Sequence, residues 1–170
     1  MRVIGILGIL LVLLTGCSLP VWETVDDPSF SEPVSAWQEN TYEILLGIPE
    51  GTSLLAEHDG SALYTTEHGE LEIETRTFLA PDLAHAVKQL SGFAQDQLII
   101  LKTQRFGLPE YQFAWVSQSD QGMRLYRADL VMDETCCYAV VCSSLEEAGD
   151  YAAFQARQVF GTFGLGQNGV

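Results

Sequence analysis

Positive charge is scarce in this chain: 170 residues include 8 lysines and arginines against 23 aspartates and glutamates, a formal net charge of −15 at pH 7. Such a surface repels phosphate backbones and anionic headgroups, which argues against nucleic acid as a partner and leaves no polybasic patch to hold a membrane. Long hydrophobic runs are also lacking. The longest uncharged apolar run, Val3 to Leu14, falls short of the about 20 residues that a helix needs to cross a hydrocarbon core. No Gly-x-Ser-x-Gly elbow, Walker glycine loop, His-Glu-x-x-His pair or dinucleotide fingerprint occurs, so hydrolytic, transfer and redox chemistry has no motif behind it, and neither an enzyme nor a cofactor is expected. Cysteine is present, but without a Cys-x-x-Cys pair or a nearby histidine to make a metal site, and none is expected.

What is present begins with the first residues. Arg2, the apolar run and then Leu14-Thr15-Gly16-Cys17 form the basic start, hydrophobic middle and small-residue exit of an export signal. With a cysteine directly after that exit, the segment resembles the lipobox of bacterial lipoproteins. The resemblance implies that the Cys17 sulfur receives a diacylglyceryl group and that residues 1–16 are removed. The protein would then sit on the extracytoplasmic side of a cell membrane, held by lipid on Cys17. One acyl signal alone gives only marginal binding, so a durable hold needs two chains or more.

Residues 17–40 read as an acidic tether. Pro20, Pro28 and Pro33 with Glu23, Asp26, Asp27, Glu32 and Glu39 show no helical or strand period. Val21, Trp22, Phe30 and Trp37 are more apolar than a pure spacer requires.

From residue 41 to 166 the periodicities are those of one domain. Strands are predicted over 41–48, 61–66 and 71–78, the last with Leu71, Ile73, Thr75 and Thr77 alternating against Glu72, Glu74 and Arg76. Pro81 suits a first helical residue, and Leu83, Ala86, Val87 and Leu90 make an apolar stripe that Ser91-Gly92 ends. A meander follows over 98–105, 111–119, 123–132 and 135–143, with turns at 107–110, 120–122 and 133–134. The nearly unbroken apolar run in its last strand suits a strand covered on both faces. Ser144 and Glu147 have the spacing of a capping box for a helix lasting to about Phe160, with Leu145, Ala148, Ala152, Gln155 and Val159 buried. This order predicts an α+β domain: an antiparallel β-sheet of about six to seven strands covered by two α-helices.

Tyr42 to Gly51, a strand running into Pro49-Glu50-Gly51, resembles the opening of the PsbP-like superfamily, which includes photosystem accessory proteins and DcrB-type lipoproteins. The Gly-centred turn at Phe106-Gly107-Leu108, the tyrosines at 126 and 138 and a last helix ending near Phe160-Gly161-Thr162-Phe163 extend the resemblance over about residues 41–165. It implies a helix-covered sheet without an enzymatic site, working as an accessory or binding module of a larger assembly.

Cys136, Cys137 and Cys142 remain once Cys17 is set aside. Cys136 and Cys142 on one strand stand about 20 Å apart, beyond disulfide reach, so inert buried thiols are expected. His58 and His68, with Glu57, Asp59, Glu67 and Glu70, flank a hairpin that could gather them around a divalent cation. His85 lies off the helix stripe and is expected at the surface. Lys102, Arg105, Arg124 and Arg127, on nearby meander strands with Trp115 and Tyr126, form a candidate partner-binding face, since arginine and large aromatics anchor interfaces.

These readings converge on a non-enzymatic, lipid-anchored extracytoplasmic module that recruits or stabilises another, unidentified envelope protein. The alternative is a lipoprotein that binds a small ligand or divalent cation. The first predicts an exposed apolar patch without a pocket, the second a pocket with converging polar groups, and an enzyme would need titratable groups with shifted pKa values in a cleft.

Overall fold

The computed structural model describes residues 42–167. The segment expected to be an export signal, Cys17 and the stretch expected to be a tether lie outside the described residues. No helix among the described residues is long and apolar enough to cross a membrane.

In chain order the elements are β1 (Tyr42–Leu45), β2 (Ser53–His58), β3 (Ser61–Thr65), β4 (Glu72–Leu79), α1 (Leu83–Ser91), β5 (Ile100–Arg105), β6 (Leu108–Ser119), β7 (Gly122–Asp133), β8 (Cys136–Leu145), α2 (Gly149–Thr162) and β9 (Gly164–Gln167). Seven strands form one antiparallel sheet in the order β2-β3-β4-β8-β7-β6-β5, while β1 and β9 pair separately.

β8 occupies the centre of the large sheet, which accounts for its apolar run. Cys137, Ala139 and Val141 face one core with Leu130, Met132, Phe113, Trp115 and the α1 residues Ala86, Val87 and Leu90. Cys136, Tyr138, Val140 and Cys142 face the other with Leu71, Ile73, Val131 and the α2 residues Ala152, Ala156 and Val159. The two helices therefore cover opposite faces of the sheet, and alternate residues of one strand serve two cores. Tyr42, Ile44, Leu46 and Leu165 of the small sheet and its flank pack onto the α2-side core. There Tyr138 stands edge-on to Tyr42 at 5.8 Å between ring centroids.

Several local expectations are corrected. Pro81 is not the first helical residue: α1 starts at Leu83, and Asp82 caps it, accepting from the His85 backbone N–H at 2.9 Å. Gly92 ends that helix at φ +78°, as its lack of a Cβ permits. The Ser144–Glu147 capping box does not form. Ser144 is buried in β8, a 3-10 turn covers Glu146–Ala148, and α2 starts at Gly149 without a side-chain cap. The first strand stops at Leu45, and two strands, β2 and β9, appear where the patterning gives no signal. β2 is exposed along its whole length and carries a bulge between Leu54 and Ala56, so no burial alternation marks it. β9 contains Gly164 and Gly166 and owes its extended form to pairing with β1.

Candidate functional site

The antiparallel register divides the predicted cationic face between the two sides of the sheet. Residue parity decides this, because successive side chains of a strand point to opposite faces. Lys102, Trp115, Arg124 and Tyr126 lie on the α1 side. Trp115 and Tyr126 stack at 5.1 Å between centroids, and Lys102 sits over the Tyr111 ring. Arg124 is buried there, its Nη2 2.8 Å from Glu72 Oε2 and donating to Ser143 Oγ at 3.1 Å. Arg105 and Arg127 lie on the α2 side with Asp129 and Gln112.

On that side is a polar cluster that no sequence motif announces. Asp129 of β7 is 0 % exposed. Its Oδ2 accepts from Arg105 Nη2 at 3.1 Å and from Gln112 Nε2 at 3.2 Å. Arg105 also donates from Nε to Glu110 Oε1, from Nη1 to the Phe163 carbonyl at 2.6 Å, and lies over the Phe163 ring. Thr103 donates to the second Glu110 oxygen. Burial, reinforced by the negative charge of Glu110, pushes the Asp129 carboxyl up to about 7. Burial also acts to raise Glu110, but hydrogen bonds from Thr103, Arg105 and Asp129 outweigh it and hold that carboxyl below its ordinary value. Asp129 Oδ1 has no hydrogen-bond partner, and such a buried oxygen favours the protonated, neutral carboxyl. One hint lies in the chain itself: Asp129 interrupts the apolar stretch of β7 that ends at Met132.

Beside this cluster runs a groove of about 650 Å³, bounded by residues 97–99, by β5–β7 and by the C-terminal half of α2. Ile99, Leu101, Ala114 and Phe160 give it apolar walls, and Gln112, Arg127, Asp129 and Arg157 supply polar groups. Ile99 is 89 % exposed and Leu101 62 %. α2 covers the sheet's centre and leaves this flank open. Of the polar set, sequence spacing reaches only Arg127, since Arg157 joins it through the packing of a distant helix.

Burial pushes the Cys137 and Cys142 thiols up to about 12, and Cys136 is buried with them, all three unpaired. The histidine arrangement is a correction. His58 ends β2 and His68 lies in the turn after β3, so the length of β3 separates them, and no group of three or more His, Cys, Asp or Glu that could hold a metal occurs among the described residues. His85 is exposed, 2.8 Å from Asp82.

No protein-family model matches the sequence, and no curated protein is significantly similar to it. Solved structures do match in shape. Cyanobacterial PsbP (CyanoP) from Synechocystis superposes with a TM-score of 0.52 at 11% identity, covering 74% of this chain and 93% of that one. LpqN of Mycobacterium tuberculosis, described as involved in cell envelope biogenesis, gives 0.50 at 12% identity over 73% and 83%. A Bacteroides thetaiotaomicron protein gives 0.52 at 11% identity over 75% of this chain, which spans about half of that protein's length (46%). At such identities the likeness concerns the fold alone, and the fold of this chain is PsbP-like α+β.

Proposed function

We propose that this protein is a non-enzymatic accessory module, carried on the outer face of a cell membrane by lipid on Cys17, and that it works by binding through the groove beside α2. The observation that carries the reading is that groove: a concavity with exposed Ile99 and Leu101 on its wall and Gln112, Arg127 and Arg157 converging on it, the feature expected of a ligand-binding module rather than of a flat docking patch. Exposed apolar surface around a cleft is costly to leave in water and marks a binding site. A PsbP-like fold, shared with an envelope-associated protein, is compatible with such a role.

The shifted Asp129 carboxyl is the one groove group with the titration of an acid–base catalyst. Its bonds to Arg105 and Gln112 and its complete burial fit a structural part better. The Cys137 and Cys142 thiols, pushed up by burial, likewise make poor nucleophiles.

Two measurements test the proposal. Cys17→Ser should release the protein from sedimenting membranes. With Cys17 intact, Ile99→Glu should abolish the crosslinks that the groove makes in those membranes while the thermal midpoint stays within a few degrees of wild type. Continued sedimentation of the serine variant would remove the anchor, and unchanged crosslinks in the glutamate variant would remove the groove as working surface.

A further inference from the structure

The groove's charge is the opposite of the protein's. Among the described residues, Arg76, Arg105 and Arg124 are each bound to a carboxylate, Arg76 to Glu74, Arg105 to Glu110 and Asp129, and Arg124 to Glu72. Arg127 and Arg157 are not, in a chain where acids outnumber bases 23 to 8, and both line the groove. Arg157 donates only from Nε, to the Ala153 carbonyl, which leaves its other guanidinium N–H groups available. Two unpaired guanidiniums beside apolar walls make a site with an anion-binding part and a hydrocarbon-binding part. Size narrows the occupant: at roughly 30 Å³ for each water-sized group, a cavity of about 650 Å³ holds one acyl chain with a small head, not two chains.

Resting on the groove as the working surface, we propose that it binds a single-chain amphiphile with a small anionic head, the chain against Ile99, Leu101 and Phe160 and the head on Arg127 and Arg157. A cationic head would meet the two guanidiniums without compensation. A diacyl lipid would leave one chain in water.

The test is calorimetric titration of the full chain carrying Cys17→Ser, which has no acyl group of its own to occupy the groove. The probes are dodecanoate and dodecyl phosphate below their micelle-forming concentrations, dodecyltrimethylammonium as the same chain with opposite charge, and acetate as a head without a chain. One saturable site for either anionic chain, with no heat from the cation or from acetate, is the expected result. The double variant Arg127→Gln, Arg157→Gln should weaken that binding by about a hundredfold, about tenfold for each charge-assisted hydrogen bond removed. Leu101→Glu should weaken it as well, by placing a carboxylate on the exposed wall. Equal binding of the cationic chain, or undiminished binding in the double variant, would overturn the proposal. No binding of either anionic chain to wild type would overturn the ligand class alone, because the Ile99→Glu crosslinking result judges the groove independently.

Discussion

Arg105 Nη2 lies 3.1 Å from Asp129 Oδ2, a β5 cation reaching across β6 to a β7 carboxyl that solvent does not touch. The same guanidinium binds Glu110 and the Phe163 carbonyl, so one side chain joins the sheet's edge strand to the end of α2. Removing it leaves two buried carboxyls without their main compensating charge. Arg105→Ala should therefore destabilise the domain by about 3–5 kcal/mol in chemical denaturation. Arg105→Lys should recover only part of this, because an ammonium cannot bridge three acceptors in a plane. Wild-type stability in the alanine variant would show that the cluster is incidental.

The Asp129 carboxyl gives stability a pH dependence of opposite sign to that of an ordinary ion-paired aspartate. Its folded pKa of about 7 lies above the ordinary value of 3.8. Between those values the unfolded chain gives up the proton and the folded chain keeps it, so stability falls as pH rises through that window. The full shift sets a ceiling of about 4 kcal/mol, lowered by the coupling to Glu110. Asp129→Asn keeps an acceptor for Arg105 and cannot ionise. Its denaturation midpoint should lose this decline, so that the variant matches or exceeds wild type at pH 8 but not at pH 4. Parallel pH profiles for the two proteins would contradict the assignment.

Thiol reactivity should be all or none. Cys137 and Cys142 sit at about 12 through burial, and Cys136 is 1 % exposed. In the full chain carrying Cys17→Ser, a thiol-exchange reagent at pH 8 should therefore label the native protein at the rate of global unfolding and label all three cysteines at once in denaturant. Rapid labelling of one native thiol would expose a local opening at β8.

Gly60 turns the chain between β2 and β3 at φ +72°, and a Cβ there would stand 2.8 Å from the Thr77 carbonyl oxygen. The Thr77 N–H also donates to the Gly60 carbonyl. Gly60→Ala should cost about 1–3 kcal/mol from backbone strain. Gly69→Ala, at φ +68° with nothing near its would-be Cβ, should cost less, since it carries strain without the clash. Equal midpoints for the two variants would place the cost in the dihedral alone.

The strands whose side chains alternate or run unbroken were legible because burial on one face or on two leaves that imprint: β4 with Leu71, Ile73 and the wet Glu72 and Glu74, and β8 with its apolar run. α1 was legible from its stripe and its glycine stop. The capping box misled because Ser144 is drawn into the ladder opposite Leu125, where strand pairing outweighs a local cap. The groove was illegible for a different reason. Its two free arginines come from a strand and a helix 30 positions apart, and only the packing of α2 makes them neighbours of one cavity.

By itself the sequence determined the α+β class, the burial of the cysteine-rich strand on both faces and the protein's acidity, because these follow from local periodicity and composition, which each segment carries with it. Apart from Arg76, which finds Glu74 two positions away on its own strand, tertiary structure decided which arginines find carboxylates and which do not. Strand parity sent Arg124 to Glu72 on one face and Arg105 to Asp129 on the other, and the placement of α2 on the sheet left Arg127 and Arg157 beside an open apolar wall. Pairing of charges depends on distances across strands and between layers, and no spacing along the chain encodes those.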